Sequence, residues 1–121
     1  MLILLKGDKE DYDWTMENAA QGGHWNIIKR MLELGADDIN WAMVYAARKH
    51  GNIKIIEKLL ELGANDYNRT LFWAIRSEDT NVIKRMLELG ATNFFDVLNY
   101  VQDDKFWTQY WLNYAKIHNI K

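Results

Sequence analysis

IIKRMLELGA at residues 27–36 returns as IIEKLLELGA at residues 55–64 and as VIKRMLELGA at residues 82–91. The first and third copies differ at one position, and the offsets of 28 and 27 residues mark a tandem array. Within the first copy, Ile27, Ile28, Met31, Leu32 and Leu34 fall at i, i+1, i+4, i+5 and i+7. That spacing places them on one side of an α-helix, with Lys29, Arg30 and Glu33 opposite. Gly35, Gly63 and Gly90 follow the last apolar position. A helix commonly closes there through a residue of positive φ, which glycine adopts without steric cost.

Ahead of each copy lies a second segment with helical spacing: WTMENAAQ from Trp14, WAMVYAARKH from Trp41 and RTLFWAIRS from Arg69. Asp13, Asn40 and Asn68 stand directly before these segments, where a side-chain oxygen can accept from the free N–H groups of a first turn, so they are the expected N-caps. Ala19 with Ala20, Ala46 with Ala47, and Ala74 supply small side chains where a neighbouring helix must come close. A short turn separates the two helices of each unit, and the second unit carries one extra residue there. The expected division is a partial unit at 1–10, repeats at 11–37, 38–65 and 66–92, and a closing unit at 93–121. Leu2, Ile3, Leu4 and Leu5 are expected to lie as a lid across Trp14, Met16 and the Ile27 helix, with edge-to-edge dimerisation as the rival. At the other end, Asn93 is the expected cap of a helix around Phe94. Asp103 and Asp104 then precede a longer helix holding Phe106, Trp107, Tyr110, Trp111 and Tyr114. The fold is therefore all-α, with eight short helices and no strand.

These residues resemble the ankyrin repeat. Residues 19–28, AAQGGHWNII, follow that family's A-A-x-x-G-H-x-x-I-V pattern, and residues 32–37, LELGAD, follow its L-x-x-G-A-D ending. Two departures matter. The family's Thr-Pro-Leu-His is replaced at the head of each first helix, and the period is about six residues below the usual 33. The missing residues are those that build the family's projecting β-hairpin fingers, so the resemblance implies a helix-turn-helix solenoid whose fingers are shortened or absent. Units reading GADD before an N-W-A or Y-N start are also similar to those of the ankyrin-repeat proteins of amoeba-infecting giant DNA viruses.

Composition narrows the function. A chain of 121 residues is one domain's worth. With 15 basic against 17 acidic residues it lacks the long-range field that draws in nucleic acid or an anionic membrane. The absence of cysteine removes disulfides, thiolate nucleophiles and cysteine-based zinc sites, and fits a reducing, cytoplasmic setting. The four-residue apolar run at 2–5 is too short for a signal-peptide core or a membrane span. His24, His50 and His118 lack ligand spacing, and no HExxH, phosphate-binding glycine loop or Ser nucleophile motif occurs. No enzyme, cofactor or metal is expected. His24 reads as a loop fastener whose ring bonds a neighbouring backbone group, and Asp103-Asp104 as a helix cap.

The resemblance implies a protein partner on the exposed side of the first helices. The candidate partner-binding residues are Trp14, Trp41 and Arg69 at the helix heads and Arg48, Lys49 and Arg76 near the ends, with Gln21 and Ser77 beside them. Tryptophan is highly buried on average, which makes packing between units the first expectation for Trp14 and Trp41 and partner contact the second. Trp and Arg are nevertheless the types enriched at binding hot spots. Lys29, Arg30, Glu33, Glu57, Lys58, Glu61, Lys84, Arg85 and Glu88 form a mixed-charge outer face suited to solubility. Two functions follow: a non-catalytic module holding one protein on the inner face, expected to be a monomer, or an assembly protein docking through its terminal edges.

Overall fold

The computed structural model describes residues 7–101 and 105–120. Among them are eight helices and no strand: α1 (Lys9–Gly22), α2 (Trp25–Leu34), α3 (Ile39–Ala47), α4 (Ile53–Glu61), α5 (Tyr67–Arg76), α6 (Thr80–Glu88), α7 (Phe94–Val101) and α8 (Lys105–Ile117). Each first helix packs on its own second helix in the pairs α1–α2, α3–α4 and α5–α6. The first helices also form a row, α1 on α3, α3 on α5 and α5 on α7. Small residues permit that approach, since Ala19, Ala20, Ala46, Ala47 and Ala74 are all buried. Met16, Ile28, Met43, Ile56, Leu71 and Ile83 fill the space between the two rows. At the far end Trp111 of α8 is buried edge-on against Phe94, ring centres 6.2 Å apart. The Leu2–Leu5 lid and the Asp103-Asp104 cap lie outside the described residues.

The apolar stripe of the repeated stretch behaves as its spacing predicts, with two exceptions: Leu62, just past α4, is 51% exposed, and Ile27 is more open than its counterparts. Ile55 and Val82 are buried, whereas the matching Ile27 is 42% exposed because no earlier pair of described helices packs against it. Gly35, Gly63 and Gly90 close their helices at φ of 118°, 105° and 100°. Only glycine is free of strain there.

The expected N-caps are corrected. Asp13, Asn40 and Asn68 sit inside helices that begin earlier, at Lys9, Ile39 and Tyr67. The caps are Asp8, Asp38 and Asp66, whose carboxylates accept from the N–H of Asp11, Trp41 and Arg69 respectively. The displaced residues reach across to the next loop. Asp13 Oδ1 accepts from the N–H of Asp37 and Asp38 at 2.9 and 3.1 Å, Asn40 Oδ1 from Asn65 and Asp66 at 2.7 and 3.2 Å, and Asn68 Oδ1 from Thr92 at 2.8 Å. Asn93 stands at the start of α7 without capping it. Its Oδ1 has no hydrogen-bond partner, and its amide instead donates to the Asn68 carbonyl at 2.9 Å. Loops of four or five residues thus replace the finger strands, and their backbone donors are satisfied by a ladder of Asx side chains.

A second set of ties runs along the opposite end of the first helices. Asn52 Nδ2 donates to the carbonyls of Gln21 and Ala46 at 2.9 and 3.0 Å. Asp79 caps α6 through Val82 while its other oxygen accepts from Gly51 N–H at 2.9 Å. Ser77 Oγ donates to the Ala47 carbonyl at 2.8 Å, so Ser77 is a tie between helices instead of free surface. The extra residue of the second unit is accommodated in the turn between α3 and α4, where Gly51 takes φ 101°.

Asp13 is the one charged rung of the ladder, and Lys9 folds onto it and onto Asp37, each at 2.7 Å. Burial of the Asp13 carboxyl acts to raise its pKa, but the bonds from Lys9, Asp37 and Asp38 outweigh it and hold the group below the usual carboxylate range. The bonded lysine is correspondingly held above its ordinary value.

Two outcomes follow. Gly63→Val puts a β-branched residue at φ 105°, where no neighbouring atom would touch its Cβ. The cost is therefore backbone strain alone, and denaturant melts should lose about 1–2 kcal/mol. Since the folded-state pKa of Asp13 is depressed, its stabilisation is present above the unfolded value near 4 and is lost as pH falls through the folded one. Asp13→Asn keeps the acceptor and removes the charge. The stability gap between parent and variant should be largest at neutral pH and close below about pH 4, whereas a gap independent of pH would show that the charge contributes nothing.

Candidate functional site

Burial of Met16, Ala19 and Ala20 fixes which side of α1 meets the core, and the matching residues do the same in α3 and α5. The opposite stripe, counted i, i+4, i+7 from the helix heads, carries Trp14, Asn18 and Gln21 on α1, Trp41, Tyr45 and Arg48 on α3, and Arg69, Trp73 and Arg76 on α5. On α7 the matching positions are Asp96 and Tyr100. Because the helices stand side by side, these stripes form one continuous face.

The tryptophans at the helix heads are not core. Trp14 is 66% exposed and Trp41 40%, since alanine, methionine and leucine already fill the contact between first helices. Burial in the core between units, the first expectation for them, is thus overturned. Around Trp41 the guanidinium of Arg69 lies 4.7 Å from the ring centre, and Tyr45 meets the ring edge-on. Arg48 is held between two rings, 4.9 Å from Tyr45 and 4.8 Å from Trp73. Arg76 covers the other members of the same group, 5.7 Å from both Phe72 and Trp73. Tyr100 extends the row against Phe72 at 5.8 Å and is itself exposed.

Of the six sequence candidates, then, Arg48 and Arg76 are brought together around Trp73, and Trp41 with Arg69 forms the adjoining contact. Lys49 is exposed beside Arg48 without touching a ring, and Trp14 stands apart near the α1 edge. Sequence reasoning missed Tyr45, Phe72, Trp73 and Tyr100. The signal was available, because carrying the helical phase outward from the alanine pairs places Tyr45 and Trp73 on the same stripe as Trp41 and Arg69.

The face is electrostatically graded. Arg69 pairs with Asp66 at 3.6 Å, while Arg48, Lys49 and Arg76 have no carboxylate partner among the described residues. Toward α1 the face turns acidic, and burial, followed by the nearby Asp38 and Asp13 carboxylates, holds the half-buried Glu17 above its ordinary value.

The outer side differs in kind, since its charges are largely satisfied between helix pairs. Arg85 bonds Glu57 at 2.6 Å, Lys58 lies 5.1 Å from the Trp25 ring centre, and Lys84 lies 5.4 Å from that of Tyr114. His24 is exposed and its ring makes no capping bond. It lies so close over Gly22 that a Cβ there would meet Cδ2 at 2.8 Å. The fastening expected of His24 is performed by Asn52. Among the described residues no three His, Asp or Glu side chains are grouped to hold a metal ion, and no helix is long and apolar enough to cross a membrane.

A family model described as ankyrin repeats in three copies matches residues 16–96, from the core of α1 into α7. No curated protein and no solved structure matches the chain.

Proposed function

The chain belongs to the ankyrin-repeat family, whose repeats are generally protein-interaction modules, and from that premise we propose that it holds one partner protein on its first-helix face and performs no chemistry. The observation that carries this reading is the contrast between the two sides of the molecule. Arg48 and Arg76 lie over aromatic rings and have no carboxylate partner among the described residues, while Arg30 and Arg85 on the outer side are neutralised by Glu33, Glu57 and Glu88. Tryptophan and arginine together are the residue types that dominate binding energy at interfaces. The similarity of the short units to those of giant-virus ankyrin proteins supports a viral protein acting on host proteins in the host cytoplasm.

Replacing Arg48, Lys49 and Arg76 with Ala should abolish capture of the partner from the source cell. Each exposed cation–π contact stabilises by about 0.5–1 kcal/mol, so the variant should keep its helical circular dichroism and lose little stability. Lys29→Glu on the outer face should leave capture intact. Loss of capture in Lys29→Glu but not in the triple variant would move the site to the outer side.

One observation favours the assembly reading. Tyr110, Leu112 and Ile117 leave apolar surface on α8, and Ile117 is 78% exposed. Light scattering across a concentration series separates the two: a binding module should hold the monomer mass throughout, and a mass that rises with concentration and reverts in Ile117→Lys would establish docking through this edge.

A further inference from the structure

We infer that the segment bound on the first-helix face is an acidic stretch of protein in extended conformation, presenting two carboxylates two residues apart to Arg48 and Arg76. This rests on the reading of that face as the docking surface. Five arginines occur in the chain, and three of them have carboxylate partners: Arg30 with Glu33, Arg69 with Asp66, and Arg85 with Glu57 and Glu88. Arg48 and Arg76 alone lack one among the described residues, and each lies over two aromatic rings. Both lie against the indole of Trp73, at 4.8 and 5.7 Å.

Contact with a ring face does not consume the N–H donors of a guanidinium, which remain available for a bidentate carboxylate. Arg48 is the C-cap residue of α3 and Arg76 ends α5, its neighbour in the helix row, and with both guanidiniums over the same indole they are at most about 10.5 Å apart. An extended chain rises about 3.3 Å per residue and turns alternate side chains to one side, which sets carboxylates two positions apart on the same face at about 6.6 Å, within that limit. Lys49 adds a third unpaired cation beside the pair. Toward α1 the half-buried Glu17 adds a negative charge and so disfavours a segment that is acidic along its whole length.

A single-stranded nucleic acid would also meet arginine and aromatic groups, but base stacking requires open ring faces. Here guanidiniums already lie over Trp41, Tyr45, Phe72 and Trp73. The chain's net charge of −2 also gives no long-range attraction for a polyanion.

Selection of short random peptides on the full chain, followed by fluorescence anisotropy of synthetic copies, tests the inference. The expected winners carry paired Asp or Glu at the stated spacing, lose about tenfold or more in affinity when those are changed to Gln or Asn, and weaken as salt rises. Arg48→Gln with Arg76→Gln should cost a similar factor, and Lys29→Gln nothing. Winners without carboxylates that are lost on Trp41→Ala or Tyr100→Ala would overturn the acidic partner while sparing the docking face. Acidic winners indifferent to every substitution on that face would overturn both. A selection yielding no binder, or oligothymidylate displacing the acidic peptides at comparable affinity, would overturn the acidic protein segment and leave the face to the capture experiment.

Discussion

A loop that packs on a helix brings backbone N–H groups out of water, and each needs an acceptor. In this chain the acceptors are Asp13, Asn40 and Asn68, near the start of each first helix and about 25 residues before the N–H groups they receive. Leaving such donors unsatisfied costs about 1–3 kcal/mol for each group. The ladder therefore makes a loop of four or five residues tolerable where a longer repeat would pair strands. It also couples each unit to the next, because an acceptor on one first helix is useful only when the following loop arrives in register. The ties from Asn52, Ser77 and Asp79 do the same at the opposite end of the row.

With both ends of the first helices fixed by polar ties and their core side packed by alanine and methionine, the outward stripe is free of structural duty. Trp41, Tyr45 and Tyr100 can be large and partly exposed because the core is filled without them, while Trp73 is half-buried against it. Their contacts with Arg48, Arg69 and Arg76 limit the exposed apolar area and restrict the rotamers of long side chains. Under the proposed docking, a partner would meet groups already near their bound positions, which lowers the ordering cost of association.

The array and its stops were legible because they depend on local chemistry: an apolar stripe of helical period and a glycine at positive φ. The caps were misread for a physical reason. Asp37-Asp38-Ile39-Asn40 and Asn65-Asp66-Tyr67-Asn68 each offer several capping residues within four positions, and local propensity rates them nearly alike. What separates them is a bond to a loop some 25 residues away, which no local pattern encodes. Tryptophan burial failed as a guide for a related reason. Average burial describes the residue type, whereas the phase of Trp14 and Trp41 relative to Ala19-Ala20 and Ala46-Ala47 decides the side on which each lies.

The same logic accounts for the change of character beyond α6. At the position matching Asn68, α7 carries Phe95, which offers no oxygen, so a following loop of the same kind would find no acceptor there. Packing takes over where the ladder stops: Phe94, Trp111 and Ala115 are buried, and the rings of Trp107 and Tyr114 meet Trp111 edge-on at 5.5 and 5.1 Å. Aromatic burial is less demanding of register than a hydrogen bond, because it scales with area and tolerates tilt. A helix seated in this way need not repeat the stretch that organises the rest of the chain, and α8 does not.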